Sequence, residues 1–315
     1  MAHLPPASLD HLRRRHGVAS RDQLLAIGVS RHTIRELCSA GHLVAVLHGV
    51  YRHRLVPFDD LARCAAVCSS HPEAVISGAA AGRLWKFRRL PDDRRTHALF
   101  PPASQPTVAP WVVPYRTRAF RAEDVVRRPD GIVVTTRART AFDLARHLGS
   151  DNLLSVMEQA MHDGRSGPDE LWAVAEPWLS PNRPWARRFV ALLSRRVQGG
   201  AAESHPEVIV GSALVEAGVR GLRRQFRVDL PGYGRARFDL AVPELRWAIE
   251  VDAYPTHRET VGASADRERD RAATRLGWQV SRVGPDGLGS NLRGTAASLA
   301  AHHGLLRGAR APDAR

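Results

Sequence analysis

Residues 20–51 read SRDQLLAIGVSRHTIRELCSAGHLVAVLHGVY, a stretch that predicts two short helices followed by two short strands. Ser20, with Gln23 three residues later, has the spacing of a capping box, so we expect a helix that begins there and ends at Gly28. Ser30 is suited to cap a second helix. Two short helices joined by a turn of this length are typical of a helix-turn-helix, and the strands that follow predict a wing.

The second predicted helix has one apolar face and one polar face. We expect Ile34, Leu37 and Cys38 to face the core and the wing strands to span 43–47 and 49–52. On the polar face, arginine side chains could reach base edges or phosphates in a major groove. The residues that we predict to contact DNA are Arg31, His32, Arg35 and Arg52. The alternative is a small helical module that docks a protein.

The basic charge of the chain lies mainly in two segments. The net charge is +14, residues 1–56 carry eight arginines against three acidic residues, and residues 171–200 carry five arginines against one. An excess of this kind favours a polyanionic partner, and we expect double-stranded DNA.

Composition excludes several classes of protein. With 315 residues and 43% hydrophobic residues, the chain is long enough for two or three domains with buried cores. Three cysteines cannot form a disulfide framework, and we see neither a secretory signal nor a membrane span, so we expect a cytoplasmic protein with no membrane partner. Cys64, Cys68 and His71 could bind a metal, but the alanines around them favour a buried helix face.

Two further stretches predict a strand pair with an acidic side. Residues 235–242 read RARFDLAV, residues 247–252 read WAIEVD, and both alternate with the period of a half-buried strand. Symmetric closure of the loop over 243–246 would place Asp239 opposite Glu250, with Arg237 opposite Asp252. The same register would place the following side chains on one apolar face of the strand pair: Phe238, Leu240, Val242, Trp247, Ile249 and Val251.

The opposed pair of acids needs compensation. Directly opposed side chains have Cβ atoms ~5 Å apart, and two carboxylates at that range repel by roughly 3 kcal/mol at an effective dielectric near 20. A divalent metal would supply the compensation, so we predict that Asp239 and Glu250 bind Mg²⁺ or Mn²⁺. The alternative is an ordinary salt-bridge network in which Arg237 and nearby arginines neutralise both acids.

Three other residues extend this predicted site. Glu207 follows Ser204 at capping-box spacing, so it is either a helix cap or a site residue. Asp252 lies on the acidic side of its strand, and His257 follows that strand, where it could be a general base or a surface imidazole. The full set of predicted catalytic residues is Glu207, Asp239, Glu250, Asp252 and His257.

The N-terminal region resembles the winged-helix domain of type IV toxin–antitoxin antitoxins of the AbiE type. The similarity rests on residues 16–31, then on Gly-His-Leu at 41–43 and His-Gly-Val-Tyr at 48–51, and it continues more loosely through 74–81 and 135–145. The resemblance implies that the winged helix binds operator DNA and that a toxin from an adjacent gene is a partner.

Residues 204–283 are similar to domains of the very-short-patch repair endonuclease type, within the PD-(D/E)xK nuclease superfamily. The matching motifs, in order, are Ser204/Glu207, Asp239-Leu240-Ala241, Ile249-Glu250-Val251-Asp252, His257, Asp266/Arg269 and Gly277-Trp278-Gln279-Val280-Ser281-Arg282-Val283. The resemblance implies a metal site at Asp239 and Glu250, with Glu207, Asp252 and His257 nearby. Asp252 stands where the superfamily usually has lysine, and the single lysine of the chain is Lys86.

We therefore expect an α+β multidomain chain with an N-terminal winged helix-turn-helix, a mixed middle domain and a C-terminal restriction-endonuclease-like α/β domain. The predicted bounds are 1–55 for the winged helix, 56–176 for the middle domain, 177–200 for a basic linker or helix, 201–305 for the nuclease-like domain and 306–315 for a tail. The leading functional hypothesis is a DNA-binding protein whose C-terminal domain is a Mg²⁺-dependent endonuclease in phage defence or DNA repair. The alternative is a non-enzymatic, antitoxin-like transcriptional autoregulator with a degenerate nuclease fold.

Overall fold

The chain forms two compact units in a computed structural model. The residues described are 6–117, 121–162, 166–180, 182–195, 198–199, 202, 204–252 and 262–310. The first unit comprises residues 1–148 and 169–186, and the second comprises 149–168 and 187–315. Within the described ranges, no helix has both the length and the apolar character needed to cross a bilayer.

The first unit begins with three helices and a three-stranded antiparallel sheet of order β1-β3-β2. Ser20 and Gln23 form the reciprocal capping box, and the Ser30 hydroxyl accepts the Thr33 N–H, so both predicted helix starts are confirmed. The arrangement is that of a helix-turn-helix with a wing. Its elements are α1 (Pro6–Arg14), β1 (Val18–Ser20), α2 (Arg21–Ala26), α3 (Arg31–Ser39), β2 (Leu43–Leu47) and β3 (Val50–His53).

The rest of the first unit is a five-stranded mixed sheet of order β6-β5-β4-β8-β7 with helices packed around it. Its elements are α4 (Asp60–Ser70), β4 (Val75–Ile76), α5 (Gly78–Leu84), β5 (Thr96–Phe100), β6 (Val112–Arg116), β7 (Val125–Arg127), β8 (Val133–Thr135), α6 (Arg137–Leu144) and α8 (Pro168–Ala175). Short 3₁₀ turns occupy Ala122–Asp124 and Glu176–Trp178. Cys64 is buried on α4, as the predicted helix face requires.

One hydrophobic core joins the winged helix to this sheet. Val18 and Val50 from the winged helix are buried in the same cluster as Ile76 and Phe100. Burial of this kind is the main source of stability in a folded domain. The predicted domain boundary between residues 55 and 56 therefore has a shared core across it.

The second unit is built on a five-stranded mixed sheet of order β13-β12-β11-β10-β9. One face packs against apolar side chains of α10 and α12 and the other against those of α11, which gives three layers. Its elements are α7 (Ser150–Met161), β9 (Gln198–Gly199), α10 (His205–Glu216), β10 (Arg223–Leu230), β11 (Gly234–Val242), β12 (Trp247–Val251), α11 (Gly262–Arg275), β13 (Gln279–Val283) and α12 (Leu292–Arg310). Helix α9 (Pro184–Arg195) spans the point where the two units divide.

The predicted β11–β12 hairpin register is confirmed, because Val242 pairs with Trp247 and Leu240 pairs with Ile249. The prediction for Phe238 is wrong: it packs against Trp278 on the other face of the sheet, with ring centroids 5.2 Å apart. The cause lies in the neighbouring strand, where Gln225 takes a φ of +50° and interrupts the pairing of β10 with β11. The alternation of side chains is broken at that point.

Residues 149–168 join the second unit, although the sequence predicted a middle domain over 56–176. The predicted domain bounds stay a prediction, and the contacts of α7 explain the grouping. Glu158 on α7 forms an ion pair with Arg224 on β10, with Nη1 and Oε1 2.8 Å apart, and both side chains are buried. This pair fixes α7 to the sheet of the second unit.

Candidate nucleic-acid interface and acidic pair

Helix α3 presents a basic face to solvent. Ile34 and Leu37 are buried beneath it, whereas Arg31 and Arg35 are exposed, which confirms the predicted division of its faces. Neither guanidinium group forms a hydrogen bond or an ion pair within the described part of the chain. His32 is also exposed and lies 3.3 Å from Glu36. The N–H donors of both arginines are therefore available to an external acceptor.

Arg52 occupies a different environment. Its Nη1 donates to the carbonyl oxygen of Val56 and, at 3.4 Å, to that of Arg54. Its guanidinium also lies 5.7 Å from the centre of the Phe58 ring. These contacts anchor the segment that follows the wing, so DNA contact by Arg52 stays a prediction.

The structure brings Asp239 and Glu250 together on adjacent strands, one step beyond the paired residues Leu240 and Ile249. Asp239 Oδ2 accepts the Val251 N–H at 3.0 Å. Burial first, and then the Asp239 carboxylate, raise the pKa of Glu250 to about 8. A buried acid, Glu250, thus lies in close contact with the half-buried Asp239.

The cation beside this pair comes from α11. Arg269 Nη2 lies 3.3 Å from Glu250 Oε1, and its side chain is only 17% exposed. The alternative to a metal site was a salt-bridge network of Arg237 and nearby arginines, and the sequence did not identify Arg269 as the arginine in contact. The Asp-x-x-Arg motif was the available signal. Glu250 Oε1 is nevertheless buried without a hydrogen bond of good geometry within the described residues.

The remaining predicted site residues are placed separately. The Glu207 backbone N–H is capped by Ser204, while its carboxylate accepts a hydrogen bond from Gln225 Nε2 at 2.8 Å. Asp252 lies 3.6 Å from Arg282, and its charge contributes to the raised pKa of Glu250. His257 lies outside the described residues. The roles predicted for these residues stay predictions.

The acidic pair can supply two metal ligands. Mg²⁺ in proteins is commonly bound by one or two carboxylates together with water and phosphate oxygens. The carboxylates of Glu250 and Asp239 fit that donor set, and Glu250 Oε1 forms no hydrogen bond of good geometry with another described residue. Over the described ranges, no group of three or more His, Cys, Asp or Glu side chains is arranged to hold a metal ion.

Comparison with known proteins gives three kinds of similarity. Two uncharacterized proteins of Mycobacterium tuberculosis, MT2308 of strain CDC 1551 and Rv2248 of strain H37Rv, are each 27% identical over 269 residues, which is 83% of this chain and 93% of theirs. A crystal structure of the RV2827C protein from Mycobacterium tuberculosis aligns with a TM-score of 0.42 and 18% identity over 62% of this chain and 78% of that one. Residues 7–52, which contain the helix-turn-helix and nearly all of the wing, match the family described as "Transcriptional regulator, AbiEi antitoxin".

Proposed function

We propose that the chain is a transcriptional regulator of the antitoxin type that reads DNA with α3. The observation that carries the proposal is the pair of exposed, unpartnered guanidinium groups of Arg31 and Arg35 on a capped helix. Bidentate arginine contacts to guanine, and charge-assisted contacts to phosphate, are common means of DNA binding. The family match of residues 7–52 supports the same role.

The packing of α3 supports direct contact with DNA. Ile34 and Leu37 hold the helix against its own core, and the Ser30 cap fixes its N-terminus. Recognition helices use the residues of their N-terminal part to contact base edges. Arg31 and Arg35 lie on consecutive turns of that part. A toxin protein from an adjacent gene is the partner that the family description suggests.

A binding measurement tests this proposal. Fluorescence anisotropy on DNA from upstream of the gene would compare the wild type with Arg31→Ala and Arg35→Ala. If the arginine contacts a base, we expect its substitution to weaken binding by about 5- to 100-fold, because one bidentate contact is lost. If it contacts a phosphate, we expect the slope of log K against log salt concentration to fall by about one. Arg94→Ala is the control, because Arg94 is 78% exposed and pairs only loosely with Asp92. Unchanged binding in both variants would exclude α3 as the reading helix.

A second candidate function belongs to the second unit. We propose Mg²⁺-dependent hydrolysis of a DNA phosphodiester in a restriction-endonuclease-like domain of the very-short-patch repair type. The observation that favours it is the pair of adjacent acids: Glu250 is buried, its Oε1 forms no hydrogen bond of good geometry with another described residue, and its pKa is raised. Asp239 and Glu250 would hold the ion, which when bound would activate water and neutralise charge on phosphate. Arg269, which forms an ion pair with Glu250, would attract the substrate phosphate.

A cleavage assay separates the two functions. Supercoiled, linear and mismatched DNA would be incubated with Mg²⁺ or Mn²⁺ and with the wild type, Asp239→Asn or Glu250→Gln. We expect cleavage to be lost in both variants and kept in Glu244→Gln, whose exposed side chain pairs with Arg223. Absence of cleavage by the wild type, or cleavage that survives both substitutions, would exclude the nuclease proposal and leave the transcriptional regulator as the remaining one.

A further inference from the structure

The first unit contains a cavity of about 400 Å³ that neither proposed function uses. It lies among β5, β6, α6 and the segment around the 3₁₀ turn Glu176–Trp178. Sites for small molecules typically enclose ~300–1,000 Å³ and carry a few polar groups that converge on the ligand. Among the described residues that line it, four are arginines.

Arg139 forms a fixed wall of this cavity. It is 2% exposed, its Nη1 lies 3.1 Å from Asp124 Oδ2, and its Nε donates to Asp143 Oδ1 at 2.9 Å. Its guanidinium also lies 5.3 Å from the centre of the Trp178 ring. A buried arginine held by two carboxylates and a ring keeps its position without a ligand.

Arg146 and Arg183 are held differently. Arg146 lies 4.4 Å from the centre of the Trp185 ring, and Arg183 lies 4.8 Å from that of Trp178. Neither side chain forms an ion pair or a hydrogen bond with another described residue. Contact with a ring face orients a guanidinium group but leaves its five N–H donors unused. Both side chains are thus prepared for an acceptor from outside the protein.

The charge of the lining favours an anion with several oxygens. Against four arginines stands one carboxylate, Asp143, among the described residues of the cavity, and its Oδ2 is buried without a partner. Arg116, Arg146 and Arg183 come from three different segments, so an anion with several oxygens, such as phosphate, can accept from more than one of them.

The cavity also has a flat wall. The Tyr115 ring stacks on His97 with a centroid distance of 6.0 Å and an interplanar angle of 10°. Trp178 contacts two guanidinium groups, whereas Tyr115 stacks on the single ring of His97, so we assign the ring of a ligand to the side of Tyr115. The unpartnered Asp143 Oδ2 would accept a hydrogen bond from an amino or imino group of such a ring.

We propose that this cavity binds a nucleotide. Arg146, Arg183 and Arg116 bind its phosphate, the base packs on the side of Tyr115, and Asp143 accepts an N–H of the base. The site shares no residue with the basic face of α3 or with the acidic pair, and it takes a free mononucleotide.

Calorimetric titration of the full-length chain tests the proposal. The ligands would be the four nucleoside 5′-monophosphates, the four corresponding nucleosides and inorganic phosphate. We expect one nucleotide to bind at one site per chain, with its nucleoside and phosphate alone each at least about tenfold weaker, because each lacks one set of contacts. Equal binding of nucleotide and phosphate would overturn the base contacts, and equal binding of nucleotide and nucleoside would overturn the phosphate contacts.

Variants localise the binding. Arg146→Ala and Arg183→Ala should each lower the affinity about tenfold or more, because a charge-assisted contact is lost. Arg183→Lys keeps the charge but not the planar donors and should also weaken binding. Arg94→Ala, an exposed arginine elsewhere in the first unit, should bind as the wild type does. Absence of saturable binding, or equal affinity in wild type and variants that melt at the same temperature, would overturn the proposal.

Discussion

Glu250 lies in an environment that disfavours its ionised form. Its side chain is buried beside Asp239, and Arg269 at 3.3 Å offsets only part of the cost. Burial and the neighbouring carboxylate therefore raise its pKa to about 8 from a usual value of 4.5. A protein retains a buried charge of this kind only when a proton or another cation accompanies it.

The pH dependence of stability follows from that shift. Because the folded-state pKa of Glu250 is raised above its unfolded value of 4.5, its stabilising contribution is fully present below pH 4.5 and is lost as pH rises through about 8. The free energy of unfolding of Glu250→Gln, in which this side chain cannot ionise, should fall less than that of the wild type between pH 4.5 and about pH 8. Urea unfolding in EDTA at a series of pH values measures the difference, and Glu244→Gln is the control. Parallel profiles for wild type and Glu250→Gln would contradict the prediction.

The ion pair of Glu158 and Arg224 predicts a large effect of a single substitution. Both side chains are at most 2% exposed, so Glu158→Ala would leave a buried guanidinium without its carboxylate and should cost about 3–5 kcal/mol. The double variant with methionine at both positions should recover much of that loss, because no buried charge remains. Chemical denaturation of the two variants measures both effects. A cost below about 1 kcal/mol for Glu158→Ala, as for exposed pairs, would contradict this assignment.

At the scale of elements, the sequence predicted the features that depend on neighbouring residues. It did not predict the contacts between residues far apart in the chain. The caps at Ser20 and Ser30 involve atoms within three residues, so their spacing alone located α2 and α3. The hairpin register followed from the loop length. The position of Phe238 depended on a backbone irregularity at Gln225, in another strand, and the contact of Arg269 depended on where α11 packs. Neither has a signature in adjacent residues.

The Ser30 cap carries a prediction for α3. Its hydroxyl accepts the Thr33 N–H at 3.0 Å, and Ser30→Ala should cost about 0.5–2 kcal/mol, whereas Ser30→Gly should cost only a few tenths. Thermal unfolding followed by circular dichroism compares the two. Ser39→Ala, at the exposed end of the same helix, is the matched control. A Ser30→Ala variant as stable as the wild type would mean that the hydroxyl does not act as a cap.

At the scale of the whole molecule, the chain does not divide where its sequence motifs do. The motif that resembles a winged helix ends near residue 52, yet Val18 and Val50 are buried with Ile76 and Phe100. His16 Nε2 also lies 2.9 Å from Asp130 Oδ2. Sequence motifs mark local geometry, whereas the extent of a core depends on contacts between distant residues.

Fragments test this organisation. A fragment of residues 1–55 lacks the side chains that bury Val18 and Val50, so it should unfold without a cooperative transition. A fragment of residues 1–186 retains all of the first unit and should unfold cooperatively. Differential scanning calorimetry of the two fragments distinguishes these outcomes. A sharp transition in the shorter fragment would show that the winged helix is independently stable.

The shared core also has a thermodynamic consequence for α3, the helix that we propose to contact DNA. Within one cooperative unit, a molecule that binds only the folded form stabilises every part of that unit by RT ln(1 + [L]/Kd). A nucleotide seated beside Arg139 would therefore slow the opening of α3, although it touches no residue of that helix. The rate of amide hydrogen exchange at Ile34 and Leu37 would then fall as the nucleotide concentration rises.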